Sequence, residues 1–179
     1  MPTDAEYRDK ITAMDRDQLF DFWKAIESLN TPGWEPGKAF EYCVLRAFEL
    51  EGGEVTWPYS VKLDEQEVEQ IDGVISLGGL FCLVESKQRQ PLVNIESIAK
   101  LRNQLARRPA AAIGVVFSYS GFTEPARVLA RYLAPQTILL WEGGEVRYAL
   151  HHQLMAYGLR MKFKYAVEHG LPDYNLLEE

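Results

Sequence analysis

Asp72, Glu85 and Lys87 are the residues of this sequence whose types and spacing best fit catalytic chemistry. The apolar run at residues 80–84 ends abruptly in Glu85-Ser86-Lys87. The two-residue period of a strand places Glu85 and Lys87 on the same face. An ion pair at the end of an apolar strand costs desolvation unless the site is polar or open. The pattern therefore indicates either an open functional site or a surface ion-pair cluster.

Asp72 is the second carboxylate that the local pattern brings to this place. The pair Gly78-Gly79 precedes the strand and predicts a two-residue hairpin turn. Counting outward from that turn by equal numbers of residues puts Asp72 directly opposite Glu85, with Cβ atoms about 5 Å apart. Two carboxylates this close repel each other and need a compensating charge.

A divalent cation is the compensation that the pattern predicts. Mg²⁺ binds one or two protein carboxylates and keeps water and substrate phosphate as its other ligands. Lys87 is then within reach of a metal-bound water, which it orients or helps to deprotonate, while the metal acts as a Lewis acid. We therefore expect phosphodiester hydrolysis with Mg²⁺ or Mn²⁺ as the cofactor.

Composition and charge set the wider frame. The 179 residues are 47% hydrophobic and 25% charged, which is ordinary for one globular domain. The net charge of −7 argues against non-specific attraction to phosphate backbones. However, residues 85–131 hold eight Lys/Arg against three Glu, so this segment is +5 and the remainder −12. Such a basic sector fits either a bound polyanion or ordinary solvated helix faces.

Membrane and redox signals are absent from the sequence pattern. No apolar run approaches the roughly 20 residues that span a bilayer, and the N-terminus is acidic, so we expect a cytoplasmic protein without membrane contact. Cys43 and Cys82 have no metal-ligand spacing and lie among apolar neighbours. They are interpreted as small buried hydrophobic residues.

Hydrophobic periodicity predicts the elements that hold these residues. Residues 1–30 are predicted helical and 38–50 form a second helix. Three strands at 55–61, 71–77 and 80–87 should form an antiparallel meander, with a charged turn at 62–70. The later elements are a helix at 95–107, a central strand at 111–117, a helix capped by Thr123, a strand at 137–141, a short strand at 146–150 and a closing helix at 151–169. Val128, Leu129 and Tyr132 are expected to face inward. The order predicts an α/β fold, a mixed sheet with helices on both faces.

The motif and its surroundings resemble a known nuclease superfamily. Asp72 followed across a hairpin by Glu85-Ser86-Lys87 looks like the Asp … Glu-x-Lys motif of the PD-(D/E)xK, restriction-endonuclease-like nucleases. The helix GKAFEYCVLRAFELEGG resembles their first core helix, with Glu41 at its acidic position. The segments IESIAKLRNQLARRP and AAIGVVFSYSGFTEPARVLARYLAPQTILLWEGGEV resemble most closely the Mrr-type catalytic domains.

The resemblance implies a role for each matching residue. Asp72 and Glu85 would be metal ligands, with the backbone carbonyl of Ser86 as a third. Lys87 would act at the attacking water, and Glu41 would be an auxiliary ligand or base. The helix that follows would contact nucleic acid through Lys100, Arg102, Gln104, Arg107 and Arg108, although a solubilising helix face is the alternative for its cations.

The resemblance also implies a domain plan and an activity. It predicts a restriction-endonuclease-like core at residues 37–150, an N-terminal helical extension at 1–36 and a C-terminal helical tail at 151–179. The residue before Asp72 is Ile71, whereas the superfamily motif commonly has proline there. No separate DNA-binding domain is recognisable in the sequence. The expected function is a metal-dependent DNA endonuclease in restriction, phage defence or repair, as a homodimer or with a partner subunit for recognition. The alternatives are a structure-selective resolvase, an RNA-processing nuclease, or a non-catalytic nucleic-acid-binding or assembly module.

Overall fold

Seven helices and seven strands make up the part of the chain that the computed structural model describes, residues 2–88, 91–133 and 135–178. The helices are α1 (Asp4–Thr12), α2 (Arg16–Glu27), α3 (Lys38–Leu50), α4 (Ile95–Leu105), α5 (Glu124–Arg131), α6 (Gly143–His152) and α7 (Met155–His169). The strands are β1 (Glu54–Thr56), β2 (Tyr59–Leu63), β3 (Gln66–Ile71), β4 (Gly73–Leu77), β5 (Leu80–Lys87), β6 (Ala112–Ser118) and β7 (Ile138–Glu142).

The main sheet is mixed, as the element order predicted. Its strand order is β1-β4-β5-β6-β7, with β1, β4 and β5 antiparallel and β5, β6 and β7 parallel. The helix α4 provides the crossover from β5 to β6, and α5 provides the crossover from β6 to β7. This arrangement puts the carboxyl end of β5 at the place where the antiparallel and parallel halves of the sheet meet.

Helices cover both faces of the sheet and bury two apolar cores. Buried side chains of α1, α2, α3, α6 and α7 share the first core with Cys82 and Val84 of β5, while α4 and α5 share the second with Leu83. Cys43 and Cys82 are both free and buried, as predicted. Since side chains alternate along a strand, Glu85 follows Leu83 onto the face that α4 covers.

The segment predicted as a charged turn, residues 62–70, is instead most of a β-hairpin. The predicted first strand divides near Pro58 into β1, which pairs with β4, and β2, which pairs with β3 in a separate two-stranded sheet. The hairpin turns at Asp64 and Glu65, which have φ of 49° and 65°. Most β3 side chains are exposed, so the strand lacks the apolar alternation on which sequence patterns depend.

The prediction of a strand at residues 146–150 is wrong, because these residues belong to α6. Glu145 accepts a hydrogen bond from the backbone N–H of Glu142 (2.8 Å) and so satisfies a free donor at the helix start. Gly143 lies against the carbonyl of Tyr119, where any side chain would collide. The glycines therefore allow close packing of a helix start and do not form a turn.

The closing helix predicted at residues 151–169 is two helices. Gln153 has a φ of 57° and ends α6, and α7 begins two residues later. The left-handed conformation is tolerated here by a residue other than glycine, at a modest cost in strain.

The inward face predicted for α5 is also wrong in part. Val128 and Tyr132 are 40% and 80% exposed, and Leu129 is half-buried, whereas Ala126 and Ala130 are buried in the second core. Small side chains let the helix approach its neighbours closely, so the larger apolar residues lie beside the contact and not within it.

A buried ion pair fastens the C-terminal segment to the sheet. Lys162 of α7 is 0% exposed, and its Nζ lies 2.5 Å from Oε1 of Glu145. The same ammonium donates to the carbonyl oxygens of Leu140 (2.8 Å) and Tyr174. Glu145 in turn accepts from the backbone N–H of Leu176 (2.9 Å). The network joins β7, α6, α7 and the segment after α7.

Candidate active site

The hairpin of β4 and β5 positions the first acidic residue. The turn at Gly78-Gly79 has positive φ at both glycines, and the register runs from Leu77 opposite Leu80 to Gly73 opposite Val84. This is the register that the sequence predicted, although the ladder ends one pair before Asp72.

Asp72 lies just beyond the ladder and is tied to the neighbouring strand. Its Oδ2 accepts hydrogen bonds from the backbone N–H of Ser86 (2.7 Å) and from the Ser86 hydroxyl (3.1 Å). Burial, and next the charge of Glu85, raise the pKa of Asp72 above its usual range. Glu85 therefore lies close enough to disfavour the ionised form of Asp72.

Glu85 is almost fully buried, at 1% exposure, and is held by two ammonium groups. Nζ of Lys87 lies 2.7 Å from Oε1, and Nζ of Lys100 lies 2.7 Å from Oε2. Lys87 comes from the same face of β5, while Lys100 reaches across from α4. Buried carboxylates require such partners, because an isolated charge in the interior is very costly.

Lys87 carries a proton in this arrangement. Burial alone would lower the pKa of its ammonium, but the hydrogen bond and charge of Glu85, with Asp72 and Glu41 beyond, raise it above the usual value. An ammonium can orient water and stabilise negative charge, whereas it cannot accept a proton.

Glu41 reaches the same place from α3. It is 8% exposed, and Nζ of Lys38 lies 2.9 Å from its Oε1. Burial, and next the charge of Asp72, raise the pKa of Glu41 to about 7. A carboxyl group with this pKa is a competent proton acceptor near neutral pH.

Glu41, Asp72 and Lys87 line one open cleft of about 370 Å³. Its walls come from the start of α3, from Asp72 and from the end of β5. The backbone N–H of Gly37 donates to Oε1 of Gln88 (3.1 Å), which joins the helix start to the residue after the strand. The cleft thus collects Lys38, Glu41, Asp72, Ser86 and Lys87.

The donor chemistry of the cleft fits Mg²⁺ or Mn²⁺. Carboxylates and a backbone carbonyl are hard oxygen ligands, the type that these ions prefer. Within the described residues, no three His, Cys, Asp or Glu side chains are already grouped to hold a metal ion. Both oxygens of Glu85 contact lysines, so a cation would compete with an ammonium for this carboxylate.

The cations predicted to contact nucleic acid have different environments. Lys100 contacts Glu85, whereas Arg107 and Arg108 both pair with Glu69, a carboxylate 7% exposed on β3. Arg102 is exposed to solvent. The helix face is therefore less free to bind phosphate than its composition indicated.

Gln104, which the resemblance placed at the site or substrate, is 4% exposed. Its Nε2 donates to the carbonyl of Gln70 (3.1 Å) and so joins α4 to β3. A second groove, of about 760 Å³, lies between these two elements, and Lys100 and Glu96 are on its wall.

Sequence reasoning did not identify Lys38 as a site residue or Lys100 as a partner of Glu85. The signal for Lys38 was its spacing of three from Glu41 on one helix, which brings such side chains together. No local pattern could have paired Lys100 with Glu85, because α4 must first pack across β5.

The raised pKa of Glu41 predicts a pH-dependent contribution to stability. Its folded value of about 7 exceeds the ordinary 4.5. The contribution is therefore fully present below pH 4.5 and is lost as the pH rises through 7, up to about 3 kcal/mol. Urea unfolding of the wild type and Glu41→Gln at pH 5 and pH 8 measures it. The free energy of unfolding should fall more between these pH values in the wild type, and equal falls would contradict the shift.

No helix in the described residues is both long and apolar enough to cross a bilayer.

Solved structures resemble this chain at low sequence identity, and they include the following two. A protein of unknown function, AF1548, is 18% identical over 74% of this chain and 77% of its own, with a TM-score of 0.48. The MspJI restriction endonuclease, crystallised in complex with a 27-mer oligonucleotide, is 19% identical over 96% of this chain, with a TM-score of 0.43. The present chain spans only 39% of the MspJI chain. No curated protein matches the sequence.

The family match covers the cleft and the elements that form it. Residues 35–150 match the family described as restriction endonuclease, the Mrr catalytic domain. This range contains Glu41, Asp72, Glu85, Lys87 and Lys100, and the family resemblance inferred from the sequence is confirmed. Since the match spans more than half of the chain, this protein belongs to the restriction endonuclease family defined by the Mrr catalytic domain.

Proposed function

We propose that this protein is a metal-dependent endonuclease that hydrolyses DNA phosphodiester bonds in restriction, phage defence or DNA repair. The observation that carries the proposal is that Asp72 and Lys87 line one open cleft, with Glu85 paired to Lys87, within a domain of a restriction endonuclease family. Burying two close acids beside an ammonium costs more free energy than burying apolar side chains, so the stability of the fold does not explain this group of charges.

Asp72 and Glu85 would hold Mg²⁺ or Mn²⁺, together with the Ser86 carbonyl. The N–H and C=O of a strand residue point the same way, and the Ser86 N–H donates to Asp72. The Ser86 carbonyl therefore points to the side of the strand on which Asp72 lies. When bound, the cation supplies a Lewis acid and lowers the pKa of a water molecule.

The remaining side chains would act on water and phosphate. Lys87, which keeps its proton, orients the attacking water and stabilises the negative charge that develops on the phosphate. Glu41, with a pKa of about 7, would serve either as the base that accepts a proton or as an auxiliary ligand of the cation. Lys38 holds Glu41 in place from one turn away.

Substrate binding would involve the cations of α4. Arg102 is the exposed cation of α4, while Lys100, Gln104, Arg107 and Arg108 have protein partners that DNA would have to share or replace. One cleft per chain cuts one strand at a time, so double-strand cleavage needs a homodimer. A partner subunit is the alternative source of target recognition. We also propose that the nuclease core extends from residue 37 to residue 150.

A non-catalytic nucleic-acid-binding or assembly module is the second candidate. It is favoured by the pairing of Glu85 with two lysines and of Arg107 and Arg108 with Glu69, which leaves few cations free. Incubating the protein with Mg²⁺ or Mn²⁺ and duplex, single-stranded or branched DNA, or RNA, separates these functions. Cleavage of branched DNA or of RNA alone would assign a resolvase or an RNA-processing nuclease. No cleavage of any substrate would leave the module.

Lys87→Met should lower the rate of metal-dependent DNA cleavage about 10²-fold, the typical contribution of a positioned proton donor or charge. Methionine keeps an unbranched, flexible side chain and removes the ammonium. The rate of plasmid nicking measures the loss, and Lys62→Met on the exposed strand β2 is the matched control. Equal rates for Lys87→Met and the wild type would reduce Lys87 to a surface ion pair.

A further inference from the structure

Both carboxylate oxygens of Glu85 lie against an ammonium group. Its Oε1 contacts Lys87 and its Oε2 contacts Lys100, each at 2.7 Å, and the carboxylate is 1% exposed. A cation bound by Glu85 would therefore compete with these two ammonium groups for the carboxylate. The inference below rests on the proposed function, in which Glu85 is a metal ligand.

Lys100 is the ammonium whose departure leaves the proposed catalytic group in place. The side chains of Lys87 and Lys100 are almost equally exposed, at 45% and 44%, but Lys87 lines the cleft and is the group proposed to act on water. Lys100 reaches Glu85 from α4 with a side chain that is 44% exposed and that also borders the groove between α4 and β3. A change of rotamer in its flexible stem would carry the ammonium from Glu85 into that groove.

The formal charges of the site explain why it should leave. Three carboxylates, Glu41, Asp72 and Glu85, face three ammonium groups, Lys38, Lys87 and Lys100. These charges already balance, so a divalent cation would add two uncompensated positive charges. Departure of one ammonium reduces the repulsion between the cation and the ammonium groups. That repulsion is strong at short range in a partly buried cleft.

We propose that Lys100 is the resident counter-ion of Glu85, competes with the divalent cation for Glu85 Oε2, and moves into the groove beside α4 when the cation binds. This makes Lys100 a positioning residue of the metal site, in place of the phosphate contact that its position on a basic helix predicted. The competition sets the affinity of the site for the cation.

Calorimetric titration of Mn²⁺ into the full chain at pH 8, without DNA, tests the proposal. Lys100→Met and Lys100→Gln should both bind Mn²⁺ about 10-fold more tightly than the wild type, the effect of a unit charge about 6 Å from a divalent ion at the dielectric constant of water. Glutamine retains a hydrogen-bond donor for Glu85 and so separates charge from support. Lys100→Arg keeps the charge and should bind Mn²⁺ as the wild type does.

Arg102→Met, an exposed change on the same helix, is the matched control and should alter the dissociation constant less than about twofold, as expected for a screened surface charge. Thermal unfolding checks that each variant is folded. Unchanged or weaker Mn²⁺ binding by both Lys100→Met and Lys100→Gln would overturn the proposal while leaving the nuclease function intact. If the wild type binds no Mn²⁺, or binds it only in a way that Asp72→Asn leaves unchanged, both this proposal and the proposed nuclease function are overturned.

Discussion

Asp72→Asn is expected to lower metal-dependent DNA cleavage by at least about 10³-fold, because a bound cation contributes several kcal/mol to the transition state. Asparagine has nearly the same shape, and its side-chain oxygen can still accept the hydrogen bond from Ser86 N–H that Asp72 accepts at 2.7 Å. The substitution therefore removes the charge of a proposed metal ligand and leaves the hairpin end in place. Initial rates of plasmid nicking in Mg²⁺ and in Mn²⁺ measure the effect.

The same variant should be at least as stable as the wild type. Burial and the charge of Glu85 raise the pKa of Asp72, so its ionised form opposes folding at neutral pH. Urea unfolding at pH 7.5 should show an unchanged or higher free energy for Asp72→Asn. Asp64→Asn, in the exposed hairpin turn, is the matched control and should cut DNA normally. Normal cleavage by Asp72→Asn would remove Asp72 from the metal site.

Lys162→Met is expected to lower the free energy of unfolding by roughly 3–5 kcal/mol, the usual cost of removing one partner of a buried ion pair. The change leaves Glu145 charged in the interior. It also removes the ammonium that donates hydrogen bonds to the carbonyl oxygens of Leu140 and Tyr174. Burial lowers the pKa of Lys162, against the attraction of Glu145. Urea denaturation followed by circular dichroism measures the loss.

Two further variants test the origin of that loss. Lys164→Met lies two residues further along α7, where the side chain is 61% exposed and pairs with Glu168 at 3.8 Å. It should change the free energy of unfolding by less than about 1 kcal/mol. The double variant Lys162→Met/Glu145→Gln should lose less than the sum of the two single changes, since it removes the unpaired charge. A loss for Lys162→Met no larger than for Lys164→Met would show that the pair does not fasten the segment.

The part of the site that the sequence predicted depends on local rules. A two-residue turn at Gly78-Gly79 and the period of two along a strand were enough to bring Asp72 beside the end of β5 and to put Glu85 and Lys87 on one face. Turn type and alternation act over a few residues, so they can be read without the rest of the chain.

Errors arose where local patterns were compatible with two structures. An apolar run after Gly143-Gly144 fitted a strand, but packing of the glycine against Tyr119 and the bond from Glu142 to Glu145 make it α6. The polar segment of β3 fitted a turn, because a strand exposed on most of its side chains has no apolar period. In both cases tertiary neighbours decided between the alternatives.

By itself, the sequence determined the family, the mixed sheet with helices on both faces and the core motif of the cleft, because turn chemistry and hydrophobic period act through neighbours in the chain. Only the tertiary structure decided which cations meet which acids: Lys100 meets Glu85, Lys38 and Glu41 reach the cleft from α3, and Arg107 and Arg108 pair with Glu69. Which charged side chains pair depends on the distances between them in the folded protein. Those distances are set when α3 and α4 pack on opposite faces of the sheet.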